Sequence, residues 1–420
     1  MQTYLNNSFH DLNFVHLIVA LVVLAGLSAC ENPGSVGGDI TDPTADVVRD
    51  TLMVDNLRSI DATSYSGELN FFSAGSYDDP LLGALNATGY IKPFLPSEND
   101  TMRADGEMLM RLMFDAEQVY GDSLSSQQFD LYEIGQFWRH RALKVNDELD
   151  LESQKVGEFT VGGADSMVIN LSDIAPDWVD KYRAYAQESK EDTTGQADST
   201  YIYEAHGLAL VPQNNGKIIP IHSDSTNFII QHPEADTFSV GLSRWGYHLS
   251  RGQDSSPQGT LPLHSTYESV LNFDNFGLSE IDIEPAGLSR AVLVLHEDTE
   301  ALEQSLNGEP PAAKRAKEQT AFLQLANPDG LPENIDPGAP LNTPSRLQGT
   351  YLPEDGTYRF DITALVENII RNGFPEDREF FVTLPNDGAI KSTLIMGSGD
   401  QVSDSLKPKI IITSLKNINN

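Results

Sequence analysis

The chain has 420 residues, with 27 Lys and Arg against 62 Asp and Glu, for a formal net charge of -35. Such a field repels phosphate backbones and excludes nucleic acid as a partner. A single cysteine excludes a disulfide framework and any cysteine-rich zinc or iron–sulfur centre, while 40% hydrophobic residues suffice for packed cores in one large domain or two ordinary ones.

Residues 14–29, FVHLIVALVVLAGLSA, are almost wholly apolar and end at the only cysteine, Cys30. The run falls short of the about 20 residues that cross a bilayer as a helix. It fits the hydrophobic core of a signal peptide over 1–29. Leu27, Ser28, Ala29 and Cys30 resemble the lipobox of bacterial lipoproteins. That resemblance implies cleavage before Cys30, acylation of its thiol and its freed amine by palmitate-type chains, and a membrane partner reached through the anchor. Each buried methylene contributes about 0.8 kcal/mol, so two or three chains hold where one does not. The alternative is a structural cysteine behind an ordinary secretory signal. Residues 30–49 are rich in Gly, Pro and Asp without apolar period, and read as a flexible tether.

Beyond residue 50, apolar residues alternate over short runs separated by Gly, Asp, Pro and Asn. Met108, Met110, Leu112 and Phe114 alternate; so do Phe129 and Leu131, then Met167, Ile169 and Leu171, then Phe238, Val240 and Leu242. Further runs cover 206–212, 217–221, 289–297, 378–385, 391–397 and 407–415. Period two with turn residues between the runs predicts antiparallel sandwiches. One helix is expected over 361–373, where Leu365, Val366, Ile369 and Ile370 share a face before Gly373, and 313–327 is a candidate for a second. Residues 187–200 read as a polar excursion, and RGQDSSPQGT, 251–260, as a linker. The expected fold is all-β: two tandem jelly-roll-like antiparallel β-sandwiches, 50–250 and 261–416, with one or two short helices.

Ordered cues run through this body. They are GSYDDPLLG (75–83), VYGDS (119–123) leading into FDLYE (129–133), HGLAL (206–210), YRFDIT (358–363) and PKIII (408–412). Together they resemble an uncharacterised family of Bacteroidota lipoproteins, the domain-of-unknown-function 4270 family. The second half also resembles the jelly-roll β-sandwich modules of bacterial surface proteins. These resemblances imply an envelope location and a β fold, and no reaction. Each cue also has a local physical reading. Gly75 and Gly83 flank the tight turn Asp78-Asp79-Pro80, Asp361 or Thr363 caps the following helix, and Pro408 opens a last strand.

Chemistry-bearing candidates are few. Gly121-Asp122-Ser123-Leu124 spells the signature of GDSL-type serine esterases, in which the Ser is the nucleophile. No His here has an Asp three positions before it to act as base and orienter. The competing reading is a hairpin turn between strands 107–115 and 127–134. His206 and His296-Glu297-Asp298 could act as ligands or bases, or as half-buried strand-end groups. Trp138, Trp178 and Trp245 could stack on sugars or pack in the core. Asn327, Asp329, Glu333 and Asp336, spaced around Gly330, form a possible calcium loop, since a hard cation needs converging oxygens and a sharp turn. Otherwise no cofactor is required.

The expectation is therefore a non-enzymatic, lipid-anchored, acidic envelope protein. It would sit at the periplasmic or surface face of an outer membrane and bind or scaffold a protein or glycan partner. A structural envelope subunit is the alternative, and a GDSL-type hydrolase a distant one.

Overall fold

The computed structural model describes residues 45–97, 100–192, 194–274, 287–325, 346–372 and 379–417. Residues 50–412 form one compact unit, and residues 1–49 with 413–420 another. Of the smaller unit, 45–49 and 413–417 are described, as the outer ends of strands Ala45–Met53 and Lys409–Asn417.

The fold is antiparallel β with few helices, as the alternating runs predict. Met108, Met110 and Leu112 are fully buried in strand Glu107–Met113, while Glu107 and Arg111 on the alternate positions face solvent. A twelve-stranded sheet runs in the order Ala313–Lys314, Tyr120–Asp122, Lys217–His222, Phe71–Asp79, Gly83–Pro93, Ala235–Arg251, Asn227–His232, Glu107–Met113, Ser166–Asn170. Strands Leu208–Pro212, Gln127–Ile134 and Leu151–Val161 branch from Gly83–Pro93. A nine-stranded sheet carries Leu288–His296, Thr357–Asp361, Arg346–Leu352, Thr320–Leu325, Phe380–Thr383 and Val270–Phe273 between Lys409–Asn417 and Arg58–Ile60, with Ala45–Met53 at its far edge. Strands Thr260–His264 and Ser392–Met396 pair separately.

Each sheet builds its own apolar core. One gathers Phe72, Leu85, Met108, Phe129 and Ile230, the other Leu271, Leu293, Leu323, Phe360 and Ile410. Both exchange residues across residues 251–260: Ile390 packs in the first core, Val54 and Leu57 in the second. Residues 251–260 themselves lie along the Asp79–Gly83 turn, where Gly252 N donates to Ala84 O at 2.6 Å and Ser255 N to Leu81 O at 2.8 Å.

Three local expectations are corrected. The helix expected over 313–327 does not form in its described part, 313–325: Ala313–Lys314 pairs with Tyr120–Asp122, and Thr320–Leu325 lies between Arg346–Leu352 and Phe380–Thr383. Ala321 and Leu323 point into the second core, so burial on a pleat overrides the helical propensity of the Ala/Lys/Gln-rich stretch. The polar excursion expected over 187–200 carries helix ends in its described residues: the end of helix Pro176–Glu191 and the start of helix Gln196–Glu204. The first opens with Pro at its first turn and buries Trp178, Val179 and Tyr182 on one narrow stripe, leaving the rest polar. The helix expected over 361–373 forms as Thr363–Asn372 behind Asp361, whose Oδ1 accepts from Thr363 N at 3.1 Å and Thr363 Oγ1 at 2.6 Å. The third correction concerns the turn at Ser123, described below.

Candidate functional site

The lipobox residues Leu27, Ser28, Ala29 and Cys30 and the calcium-loop candidates Asn327, Asp329, Glu333 and Asp336 lie outside the described residues. Among the described residues there is no cluster of three His, Cys, Asp or Glu suited to a metal, and no helix long and apolar enough to cross a membrane.

Ser123 sits in a tight turn, with Ser125 N donating to Asp122 O at 3.0 Å and Leu124 N to Asp122 Oδ1 at 3.1 Å. The turn is not a hairpin between 107–115 and 127–134. It follows the short strand Tyr120–Asp122, which pairs with Lys217–His222 and Ala313–Lys314, whereas Gln127–Ile134 pairs with Leu208–Pro212 and Leu151–Val161. The Ser123 hydroxyl donates to Ala312 O at 3.4 Å. The nearby cation is Lys217, whose Nζ donates to the carbonyls of Ser123 and Gly162 at 3.1 and 2.9 Å. Burial holds Lys217 below the usual lysine range.

Other candidates are occupied by their surroundings. Glu297 is buried and accepts from Lys317 Nζ and Tyr351 Oη, both at 2.6 Å, and from Thr393 Oγ1. Asp298 caps helix Thr299–Gln304 by accepting from Ala301 N at 3.0 Å. Trp138 and Trp178 are buried, and Trp245 Nε1 donates to Leu69 O at 2.8 Å. The structure also aligns Ser392, His264 and Asp254. His264 Nδ1 lies 2.9 Å from Ser392 Oγ, and Nε2 lies 3.7 Å from Asp254 Oδ2, too far for a hydrogen bond. His264 is enclosed, and burial lowers its pKa.

A groove of about 980 Å3 opens where strand Gly83–Pro93 ends beneath the two helices. Its floor is Lys92, the Phe94–Ser97 segment, Ser243 and Arg244; its wall is Ala186, Ser189 and Lys190 of the long helix and Asp198, Tyr201 and Ile202 of the short one. The sequence builds it in three steps. Gly195, at φ +76, takes the left-handed conformation that starts the short helix back across the long one. Tyr182 and Tyr201 then fasten both helices to the strand end, their hydroxyls donating to Phe94 O and Pro93 O at 2.6 Å each. The neighbouring strand shifts register between Leu242 and Arg244, and Ser243 Oγ donates to Lys92 O and Pro93 O at 3.1 and 2.9 Å. Such a bulge redirects side chains.

The bulge leaves Arg244 opposite Lys92 in the ladder. Lys92 Nζ donates to Tyr201 O at 2.7 Å and Ile202 O at 3.3 Å and stands 4.1 Å from the Tyr201 ring centre. Arg244 donates to Trp138 O at 2.6 Å and Ile202 O at 3.1 Å, with its guanidinium 4.7 Å from the Phe137 ring centre. Burial, reinforced by the Arg244 charge, pushes Lys92 down to about 7. At the other end, Asp192 accepts from Thr194 and from Ala197 N at 2.7 Å, which holds its carboxyl at about 2. The rim is apolar, with Phe94 56% and Ile202 44% exposed; beside it Tyr203 packs against Phe137 with ring centres 5.3 Å apart and planes tilted by 33°.

Sequence reasoning missed this groove. The legible signal was Pro93-Phe94-Leu95-Pro96, an apolar tetrapeptide bracketed by prolines and belonging to no period-two run. Pro93 closes the strand opposite Leu242, and the residues from Phe94 to Pro96 lie beyond it.

No family model matches the chain, and no curated protein matches it. Among solved structures, similarity is found to PNGF-II at 9% identity, covering 84% of this chain and 65% of that one, with a TM-score of 0.13. It is also found to the Macrobrachium rosenbergii nodavirus at 9% identity, covering 90% and 91%, with a TM-score of 0.10. The chain thus spans just under two thirds of the length of PNGF-II. Neither likeness carries an argument about fold or function.

Proposed function

We propose that the chain is a non-enzymatic, lipid-anchored envelope protein that binds a protein partner in the groove between strand Gly83–Pro93 and the two helices. The groove itself carries this reading: it joins exposed apolar side chains, Phe94 and Ile202, to the polar groups of Lys92, Ser243 and Arg244, the usual build of a recognition site. A protein fits better than a glycan, because the three Trp residues that could have formed a sugar-stacking platform are engaged in packing and internal hydrogen bonds. The anchor rests on the apolar segment that ends in Leu27-Ser28-Ala29-Cys30.

Two experiments test the two parts. Cys30→Ser is expected to leave uncleaved precursor that takes up no labelled palmitate; unchanged labelling would dismiss the anchor. A photoreactive residue at position 94 or 202 of the full chain in native envelopes is expected to give a discrete protein adduct. The same residue at position 168, on the edge strand Ser166–Asn170, serves as the control. Equal adducts from all three positions would dismiss the groove.

A further inference from the structure

We propose that the groove recognises one carboxylate side chain, flanked by apolar residues, in an extended segment of the partner, and that Lys92 and Arg244 hold it. The inference rests on the reading of the groove as a protein-binding site and names the chemistry it selects.

Cations are scarce in this chain, and several of those that are enclosed or half-enclosed meet carboxylates. Arg315 pairs with Asp79 at 2.6 Å, Lys317 with Glu297 at 2.6 Å, and Lys391 with Glu318 and Asp387 at 2.8 Å. Lys217 meets only the carbonyls of Ser123 and Gly162; Lys92 and Arg244 share that exception and differ in standing side by side. They are cross-strand neighbours, yet their hydrogen bonds go only to the neutral carbonyls of Trp138, Tyr201 and Ile202. Two of those carbonyls belong to the last turn of helix Gln196–Glu204, whose partial negative charge accounts for part of the arrangement. It does not use up the donors. An ammonium has three N–H groups and a guanidinium five, so one and three remain respectively. Two adjacent cations without an anion repel, and burial sharpens the repulsion. A carboxylate entering the groove relieves that repulsion and accepts the spare donors in charge-assisted bonds.

The rest of the groove limits what can carry that carboxylate. Asp100, Asp192 and Asp198 line the groove with one further cation, Lys190, which donates to Asp100 O and Thr101 Oγ1, and the chain as a whole is strongly negative. A polyanion is therefore repelled, while a single acid between apolar residues matches Phe94, Leu95 and Ile202.

The test is selection from a random eight-residue display library on the full chain in detergent, with peptides joined through their C-termini so that no terminal carboxylate is offered. The expected result is enrichment of Asp or Glu at one position between apolar residues. Changing that acid to its amide should weaken binding to the wild-type chain about 10-fold, equivalent to about 1.4 kcal/mol. This comparison needs no protein variant. Arg244→Gln and Lys92→Met should each abolish the preference for acid over amide. Peptides selected at the groove with no acidic preference would overturn this inference and leave the protein-binding reading standing. Groove-dependent binding only of free C-terminal peptides, or only of uronate oligosaccharides, would also overturn it, by assigning the cations to a different carboxylate. Failure to select any groove-dependent peptide would overturn both readings.

Discussion

Arg315 grips Asp79 through two parallel hydrogen bonds, Nε to Oδ2 at 2.6 Å and Nη2 to Oδ1 at 2.7 Å, with both side chains almost wholly enclosed. Asp79 also accepts from Leu81 N, Leu82 N and Tyr120 Oη at 2.8 Å each. The pair thereby joins the Phe71–Asp79 strand to the segment leading into Thr320–Leu325 of the other sheet. Removing one partner of such a pair leaves a buried charge, so Arg315→Met is expected to cost about 3–5 kcal/mol.

The same pair predicts a pH dependence. Burial raises the Asp79 pKa, but the Arg315 bonds and charge outweigh it, and the net value falls below the ordinary 3.8. Asp79 then contributes stability that is present above pH 3.8 and lost as pH falls through its lower folded value. Arg315→Met removes the lowering cause and leaves burial, so protonation relieves the variant. The gap between wild type and variant in urea midpoint should therefore narrow from pH 5 to pH 3, an order-of-magnitude window around the carboxylate range. A constant gap would show that the lost contact is packing rather than charge.

Lys92 works in the opposite sense from a paired lysine. Its folded pKa of about 7 lies below the ordinary 10.5, so between those values the unfolded chain binds more protons and stability rises with pH. Below about pH 7 both states are protonated, and the cost of the buried ammonium is fully present. Lys92→Met lacks this titration. Wild type should gain on the variant in thermal or urea unfolding as pH rises from 7 to 10, and parallel curves would show that the ammonium is solvated.

The strands were legible where one face is buried. Met108, Met110 and Leu112, or Leu293 and Leu295, alternate because every second side chain enters a core. The two helices over the groove were not, because each buries only a few residues and takes its stability from tertiary contacts such as Tyr182 and Tyr201 to the strand end. The binding candidate was hidden for the same reason. Lys92 and Arg244 are 152 positions apart in the chain, and only the ladder register makes them neighbours.

The Gly-Asp-Ser-Leu string separates a fold signal from a catalytic one. Gly121 has φ +100, and a Cβ there would stand 2.7 Å from the Tyr77 ring and 2.8 Å from Gly216 O. Gly121→Ala therefore combines backbone strain with a clash against backbone that cannot yield, and should cost at least about 2 kcal/mol. Ser123, by contrast, gives only a long bond to Ala312 O at 3.4 Å, and Leu124 beside it is exposed. Ser123→Ala should change stability by less than about 0.5 kcal/mol. Among the described residues no His hydrogen-bonds to Ser123, and Lys217 spends its bonds on the carbonyls of Ser123 and Gly162 rather than on the hydroxyl. A serine without a base in reach is a weak nucleophile. The purified chain should accordingly leave short-chain p-nitrophenyl esters intact. Hydrolysis by wild type that Ser123→Ala abolishes, with unfolding unchanged, would make this turn an active site instead.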